Sequence, residues 1–254
     1  MLKTAYAAYF DASGKRQQPA LTVSGFVSDV ARWKQFEIAW KRILASESLP
    51  SFHMTDFVAR KPPFDRWPGD EIGNARRDKF LRSLLRVVTS KTTCGFTVSL
   101  PMPEYESANR AYQIDEWFGG PYPYAGLGCA IKLKKWAIEK HVGHLEVFFE
   151  AGDEGQGDLC RLIGSYLGTT PIFKSKHEVT QFQAADWAAW ERNKLIKIAQ
   201  SKPGDYHGIR KSLQALDAEP NDWGAVPRED IIQTCKNYMV PRRSSEEAAK
   251  LRNS

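Results

Sequence analysis

Cysteine is scarce in this chain: four in 254 residues, at Cys94, Cys129, Cys160 and Cys235, with no Cys-x-x-Cys pair among them. That scatter points away from a zinc finger and from a dense disulfide framework. It fits a reducing compartment, so a cytoplasmic protein is expected. Long apolar runs are lacking too. The opening stretch from Met1 to Asp11 is too short in apolar residues for a signal peptide or a membrane span, and no membrane partner is expected. There is no internal repeat and no low-complexity tract. Ser13-Gly14-Lys15 lacks the upstream glycines of a phosphate-binding loop, which disfavours a nucleotide hydrolase, and the run from Asp153 to Asp158 lacks the ligand spacing of an EF-hand. No serine or cysteine stands out as a nucleophile with a histidine and an acid beside it.

What is present is a core-forming composition. Hydrophobic residues make up 42% of the chain and there are eight tryptophans, enough for one large domain or one domain with insertions. The net charge of +6 favours polyanionic partners, nucleic acid among them. Basic charge together with clustered acids is the more telling combination. Phosphodiester chemistry needs cations for the strand and carboxylates for metal ions.

The pattern of elements alternates between strand and helix. Lys3 to Asp11 reads as a strand, broken at Ser13-Gly14-Lys15, and Pro19 to Val27 as a second, giving a hairpin. Asp29 offers an N-cap for a helix to about Ser46, whose Trp33, Phe36, Ile38, Trp40, Ile43 and Leu44 follow helical spacing. Residues 51–70 read as irregular. A helix from Arg76 to Val88 buries Phe80, Leu81, Leu84, Leu85 and Val88 and turns Arg76, Arg77, Lys79, Arg82 and Arg86 to water. A strand from Thr92 to Leu100 precedes helices at Pro101 to Ile114 and Tyr124 to His141, separated by the breaker Gly119-Gly120-Pro121. The strand Leu145 to Glu150 stops at a glycine-rich loop. A helix from Asp158 to Leu167, a short strand at Ile172-Phe173 and a long helix from Val179 to Ala199 follow. Short helices are expected beyond Pro203, and a charged, frayed tail after Pro241. The expected fold is α/β, a mixed sheet with helices on both faces. Residues 1–200 form its main domain, with a helical insertion around 101–141, and residues 201–254 a C-terminal helical extension.

Asp11 and Glu150 each end a strand, and Asp186 sits on the late helix. Strand ends of an open α/β sheet gather at one edge, where ligands bind. Carboxylates collected there repel one another unless a cation holds them, and Mg2+ or Mn2+ suits hard oxygen ligands. Two such ions about 3.5–4 Å apart activate water and stabilise the leaving oxygen of a phosphodiester. Each acid also has an ordinary reading. Asp11 could cap the turn at Ser13-Gly14, Glu150 and Asp153 could be solvated loop residues, and Asp186 could pair with Arg192 or Lys194. Asp186 is the hardest to explain that way. It lies in Gln181-Phe182-Gln183-Ala184-Ala185-Asp186-Trp187-Ala188-Ala189-Trp190, whose four alanines allow close packing. An acid in such company must be paired, protonated or bound to a cation. Gln183 lies one turn before it on the same face.

Four short motifs, Phe10-Asp11-Ala12-Ser13-Gly14, Phe52-His53-Met54, Phe149-Glu150-Ala151-Gly152-Asp153 and Gln183-Ala184-Ala185-Asp186, occur here in this order. Their order resembles the microbial family known as domain of unknown function 3800, and the resemblance covers residues 3 to about 195. It implies a ribonuclease H-like fold, related to Holliday-junction resolvases, and a metal-dependent nuclease site. By that resemblance Asp11 is the metal-bridging carboxylate, Glu150 with Asp153 supplies the second set of ligands, and Asp186 is the helix-borne ligand. His53 matches the family's histidine, either as a group that orients water or protonates a leaving group, or as a ring hydrogen-bonded in the core. The family's first motif commonly reads Asp-Glu-Ser-Gly. Ala12 stands here in place of the glutamate, which suggests a dispensable side chain or drifted activity.

Lys174, Lys176 and His177 lie between the Glu150 loop and the Asp186 helix, within reach of phosphates near the site. Ser13, Lys174, Lys176 and Gln183 are the candidate substrate-binding residues. Lys132, Lys134 and Lys135 offer a second basic face, with plain surface charge as the default for both sets. Trp187 and Trp190 read as core rather than as stacking surfaces for bases. Two functions compete: a metal-dependent nuclease cutting DNA or RNA by a two-metal mechanism, and a catalytically weak nucleic-acid-binding protein that keeps the fold.

Overall fold

Along Ala5–Ser13 (β1), Ala8 and Phe10 pack into one hydrophobic layer, while Ala7 and Tyr9 pack into another on the opposite side. This period of two puts a sheet between two cores. In the computed structural model, which describes residues 4–201, 211–218 and 220–237, β1 pairs antiparallel with Ala20–Asp29 (β2), Phe10 opposite Gly25. The turn between them depends on Gly14, held at φ +90°, where any side chain would also collide with the carbonyl of Ala20.

Asp29 caps Val30–Ser46 (α1) by accepting the backbone N–H of Arg32 at 2.8 Å. Met54–Ala59 (α2) is a short helix inside the stretch expected to be irregular. Glu71–Lys91 (α3) starts one turn and more before Arg76 because Asp70 caps it, accepting from Gly73 at 2.8 Å. Cys94–Pro101 (β3) pairs antiparallel with β2. Met102–Tyr112 (α4), Ile114–Phe118 (α5) and Pro121–Glu139 (α6) follow, the last opening on a proline at a position that needs no N–H.

His144–Glu150 (β4) returns beside β1, now parallel, with Phe10 opposite Phe149. Gln156–Leu167 (α7) leads to Ile172–Lys174 (β5), parallel to β4. Phe182–Ser201 (α8), Lys211–Asp217 (α9) and Asn221–Ala225 (β6) complete the elements, and residues 228–237 are helical. The sheet order is β5-β4-β1-β2-β3-β6. It is the α/β arrangement expected from the sequence, a mixed sheet with helices on both faces.

On one face α4 to α7 cover Phe10, Val23, Phe96 and Phe149. On the other, α1, α2, α3 and α8 enclose Trp40, Phe52, Phe57, Phe64, Trp67 and Phe80, an aromatic cluster with almost no exposure. Each such ring contributes roughly 1.5–3 kcal/mol of burial.

Three expectations need correction. Residues 51–70 hold α2, which is too short for its period to show beside Pro62-Pro63. Arg77 does not face water: it is buried, its guanidinium lies 4.1 Å from the Phe57 ring centre, and it donates to the Phe57 carbonyl. Beyond Pro203 the chain adds a strand as well as helices, because β6 pairs parallel with β3 from Gly95 opposite Asn221 to Ser99 opposite Ala225. Lys3 and the tail after Pro241 lie outside the described residues.

Candidate active site

The alternation that stacks Phe10 on Phe149, ring centres 5.1 Å apart, sends Asp11 and Glu150 to the opposite face of the sheet. One residue earlier, Tyr9 stacks on Phe148 at 4.8 Å on that opposite face. Asp11 and Glu150 therefore stand side by side on two adjacent parallel strands, under α8. Glu150 is the last residue of β4, whereas β1 runs on to Ser13, two residues past the end expected at Asp11, because Ala12 and Ser13 still pair with β2. Helix α8 lies against β1 and β2, and its small residues Ala184, Ala185, Ala188 and Ala189 are all buried. That close approach buries Asp186, 6% exposed, against this part of the sheet. Asn193, two turns on, donates to the carbonyls of Ser13 (3.0 Å) and Ala20 (2.9 Å) and fixes the helix to the mouth of the β1–β2 turn.

The electrostatics follow from this crowding. Asp11 is 4% exposed, and burial pushes its carboxyl well above the usual carboxylate range. A hydrogen bond with Glu150 and the charges of Asp186 and Glu150 push it further, against the N–H of Ala12 at 2.6 Å. Burial and the charge of Glu150 raise Asp153 as well. Tyr122 is also held up, by burial first and then by Asp153, Asp11 and Glu150.

Two side chains of the protein answer this negative charge. Lys176 sets its ammonium 3.5 Å from Glu150 Oε1. Burial acts to lower its pKa, but Glu150, Asp11 and Asp186 together outweigh it and leave it raised. His53, the residue before α2, places Nε2 3.2 Å from Asp186 Oδ1 and Nδ1 2.8 Å from Asp56 Oδ2. Chiefly through Asp186, and against its burial, its pKa is raised to about 9. Asp186 also accepts the Met54 N–H at 2.8 Å, so it caps the start of α2 while facing the acidic centre.

The residues singled out from the sequence divide in space. Asp11, Glu150, Asp153, Asp186, His53 and Lys176 come together. Gln183 is given over to structure: its Oε1 accepts from Trp40 Nε1 at 2.9 Å and from the Phe52 N–H at 2.8 Å. Lys174 pairs with Glu178 at 3.7 Å, and Ser13 offers its carbonyl to Asn193. Arg192 pairs with Asp217 at 2.6 Å and lies over the Trp223 ring, not beside Asp186. On the second basic face, Lys132 pairs with Asp222 and Lys134 reaches the Tyr166 carbonyl. Trp187 is fully buried and Trp190 packs half-buried against the aromatic core. Sequence reasoning missed Asp56, although its spacing of three from His53 puts both on one face once 54–59 is read as helix. It also missed Tyr122, which at the start of a helix reads only as core.

Gln183→Leu is expected to lower stability by about 2–4 kcal/mol, since two buried N–H groups would lose their acceptor. Urea unfolding measures it. Nucleic-acid affinity of the folded variant should stay at the wild-type level, and a selective loss of affinity would return Gln183 to the substrate-binding set.

Among the described residues, no three His, Cys, Asp or Glu side chains are placed as one metal-ligating group. The acids are engaged with each other, with Lys176 and with His53. Their chemistry nevertheless suits a hard divalent cation: carboxylate oxygens, crowded and largely withdrawn from water. Beside Asp153 opens a cleft of about 260 Å³, lined by Lys15, Arg16, Gly120, Tyr122, Gly152 and Glu154. Arg16 is held there by Glu106 and Asp115, each at 2.7 Å. Among the described residues, no helix is long and apolar enough to cross a membrane.

No family model matches the chain, and no curated protein matches it. Among solved structures it is similar to a chain of the complex of PCNA with ribonuclease HII from Archaeoglobus fulgidus. The identity is 13%, 84% of this chain and 85% of that chain are covered, and the TM-score is 0.40.

Proposed function

We propose that this chain is a divalent-metal-dependent nuclease that hydrolyses nucleic-acid phosphodiesters. One observation carries the reading: the register of β1 and β4 sets Asp11 beside Glu150 on the face that α8 covers, and Asp11 and Asp186 are both buried there, 4% and 6% exposed. A fold gains nothing in stability from three acids packed this way. A bound cation would make the arrangement favourable. Asp11, Glu150 and Asp186, with Asp153 beside them, would hold Mg2+ or Mn2+, which supplies water activation and charge stabilisation at the phosphate. The remaining work falls to the chain. His53, oriented by Asp56, holds a proton at Nε2 on the edge of the acidic centre, where it can serve a leaving oxygen. Lys15 and Lys176 offer charge to the strand.

The engagement of the acids with Lys176 and His53, together with Ala12, favours a second reading, a nucleic-acid-binding protein with little catalysis. Labelled single- and double-stranded DNA and RNA, incubated with Mg2+, Mn2+ or EDTA, separate the two. Cleavage with metal that EDTA stops is the expected result. Salt-sensitive binding without cleavage on any substrate would establish the second reading.

A further inference from the structure

The cleft of about 260 Å³ is lined from three segments: the turn between β1 and β2, the start of α6 and the loop after β4. It borders the acidic centre. Asp153 lines it, and so does Tyr122, which stands within the field of Asp153, Asp11 and Glu150. Pro121 and Pro123 contribute ring carbons and no N–H. Gly120 and Gly152, at φ +115° and +128°, have open space where a side chain would begin, so bare backbone meets the cleft. The Gln17 amide, the Lys15 ammonium and the carboxylates of Asp153 and Glu154 supply donors and acceptors.

Charge decides what such a lining accepts. Arg16 is already held by Glu106 and Asp115. Lys15 is left against both Asp153 and Glu154, so the cleft has no surplus of positive charge for a phosphate. It suits an uncharged group with flat faces and hydrogen-bonding edges. We infer that the cleft receives one unpaired nucleobase of the strand bound at the acidic centre, and that the protein thereby selects single-stranded over duplex nucleic acid. This rests on the reading proposed above and names the substrate of that site. A base within a duplex is stacked on both faces and paired along its edge, and must give up both to enter. A base of a single strand has little to give up. Charge density alone favours the duplex, so a preference for the single strand is the mark of a seated base.

The test is fluorescence anisotropy on the full chain, in EDTA and at one salt concentration, with three labelled probes. They are a single strand of mixed sequence, the same strand in a duplex, and an abasic strand of equal length. Wild type should bind the single strand about tenfold or more tightly than either of the others. Gln17→Trp fills the cleft from an exposed turn position. It should lose that preference and keep the wild-type affinity for the abasic strand. Gln18→Trp puts the same ring on the next residue, which is exposed, lies outside the lining and accepts from Lys197 at 3.0 Å. It should behave as wild type, and melting curves check that both variants fold. Equal affinity of wild type for the single strand and either other probe would overturn the inference whatever the variants do. A folded Gln17→Trp that keeps the preference would overturn it too. Binding of no probe by wild type would remove the nucleic-acid reading and the seated base with it. A single-strand preference that Gln17→Trp abolishes, without cleavage in Mg2+ or Mn2+, would defeat the nuclease and leave the seated base established.

Discussion

Asp11→Asn should abolish metal-dependent cleavage and leave the fold intact. Asparagine keeps the shape of the side chain and a group able to hydrogen-bond Glu150, but removes the charge that would hold an ion between β1 and β4. Metal ions supply much of the charge stabilisation in phosphoryl transfer, so losing the central carboxylate should cost several kcal/mol of barrier. At about 1.4 kcal/mol per decade, that is a loss of roughly a thousandfold or more. Stability should move the other way. Asp11 is buried among like charges, and an uncharged replacement relieves both its desolvation and its repulsion. In EDTA the variant should therefore melt level with or above wild type. Mn2+ should raise the melting temperature of wild type by mass action and that of the variant much less. Affinity for nucleic acid in EDTA should survive, because it depends on lysine and arginine contacts. Equal cleavage by the two proteins would remove Asp11 from the chemistry.

Trp187→Ala should be the converse case, large in stability and silent in binding. The indole is fully buried, sits edge-on to Phe52 with ring centres 5.8 Å apart, and donates from Nε1 to Glu191 Oε1 at 3.2 Å. Truncation leaves a cavity between α8 and the aromatic cluster and takes one donor from a buried acid that Ser212 also serves. A loss of about 3–5 kcal/mol is expected, read as a drop in the urea midpoint. Nucleic-acid affinity, corrected for the folded fraction, should not change. A fall in affinity with little loss of stability would mean that the ring serves as a stacking surface for bases.

The two variants mark what could be read from the residues in order. Strands and helices were legible because they depend on periods of two and 3.6, which a single segment carries within itself, although β1 runs two residues past the end expected at Asp11. Asp11, Glu150 and Asp186 were singled out from such local readings. The companions of these acids did not. Lys176 and Lys174 sit two apart and look alike in sequence, yet one reaches Glu150 and the other Glu178. That choice is made by the path of the loop after β5. Gln183 was correctly placed on the face of Asp186, but its partners lie at Trp40 and Phe52, far away along the chain. Arg77 looked like a solvated charge until the ring of Phe57 arrived beneath it. β6, reading Asn-Asp-Trp-Gly-Ala, has little strand propensity of its own and is extended because β3 offers it an edge.

The two neighbours of β1 reach it at very different times. β2 follows after a short turn, whereas β4 must close a loop that runs through α1 to α6. Closure over such a distance is entropically dearer and slower than making the hairpin. On a ribosome, β1, β2 and β3 are therefore complete while the outer edge of β1 still lacks a partner. That edge carries Tyr6, Tyr9 and Phe10 and is a template for wrong pairing between nascent chains. Asp11 lies at its end, and a charge there discourages another strand from docking. Before it has Glu150 and Asp186 for company, the same carboxylate is thus a guard on an unfinished sheet.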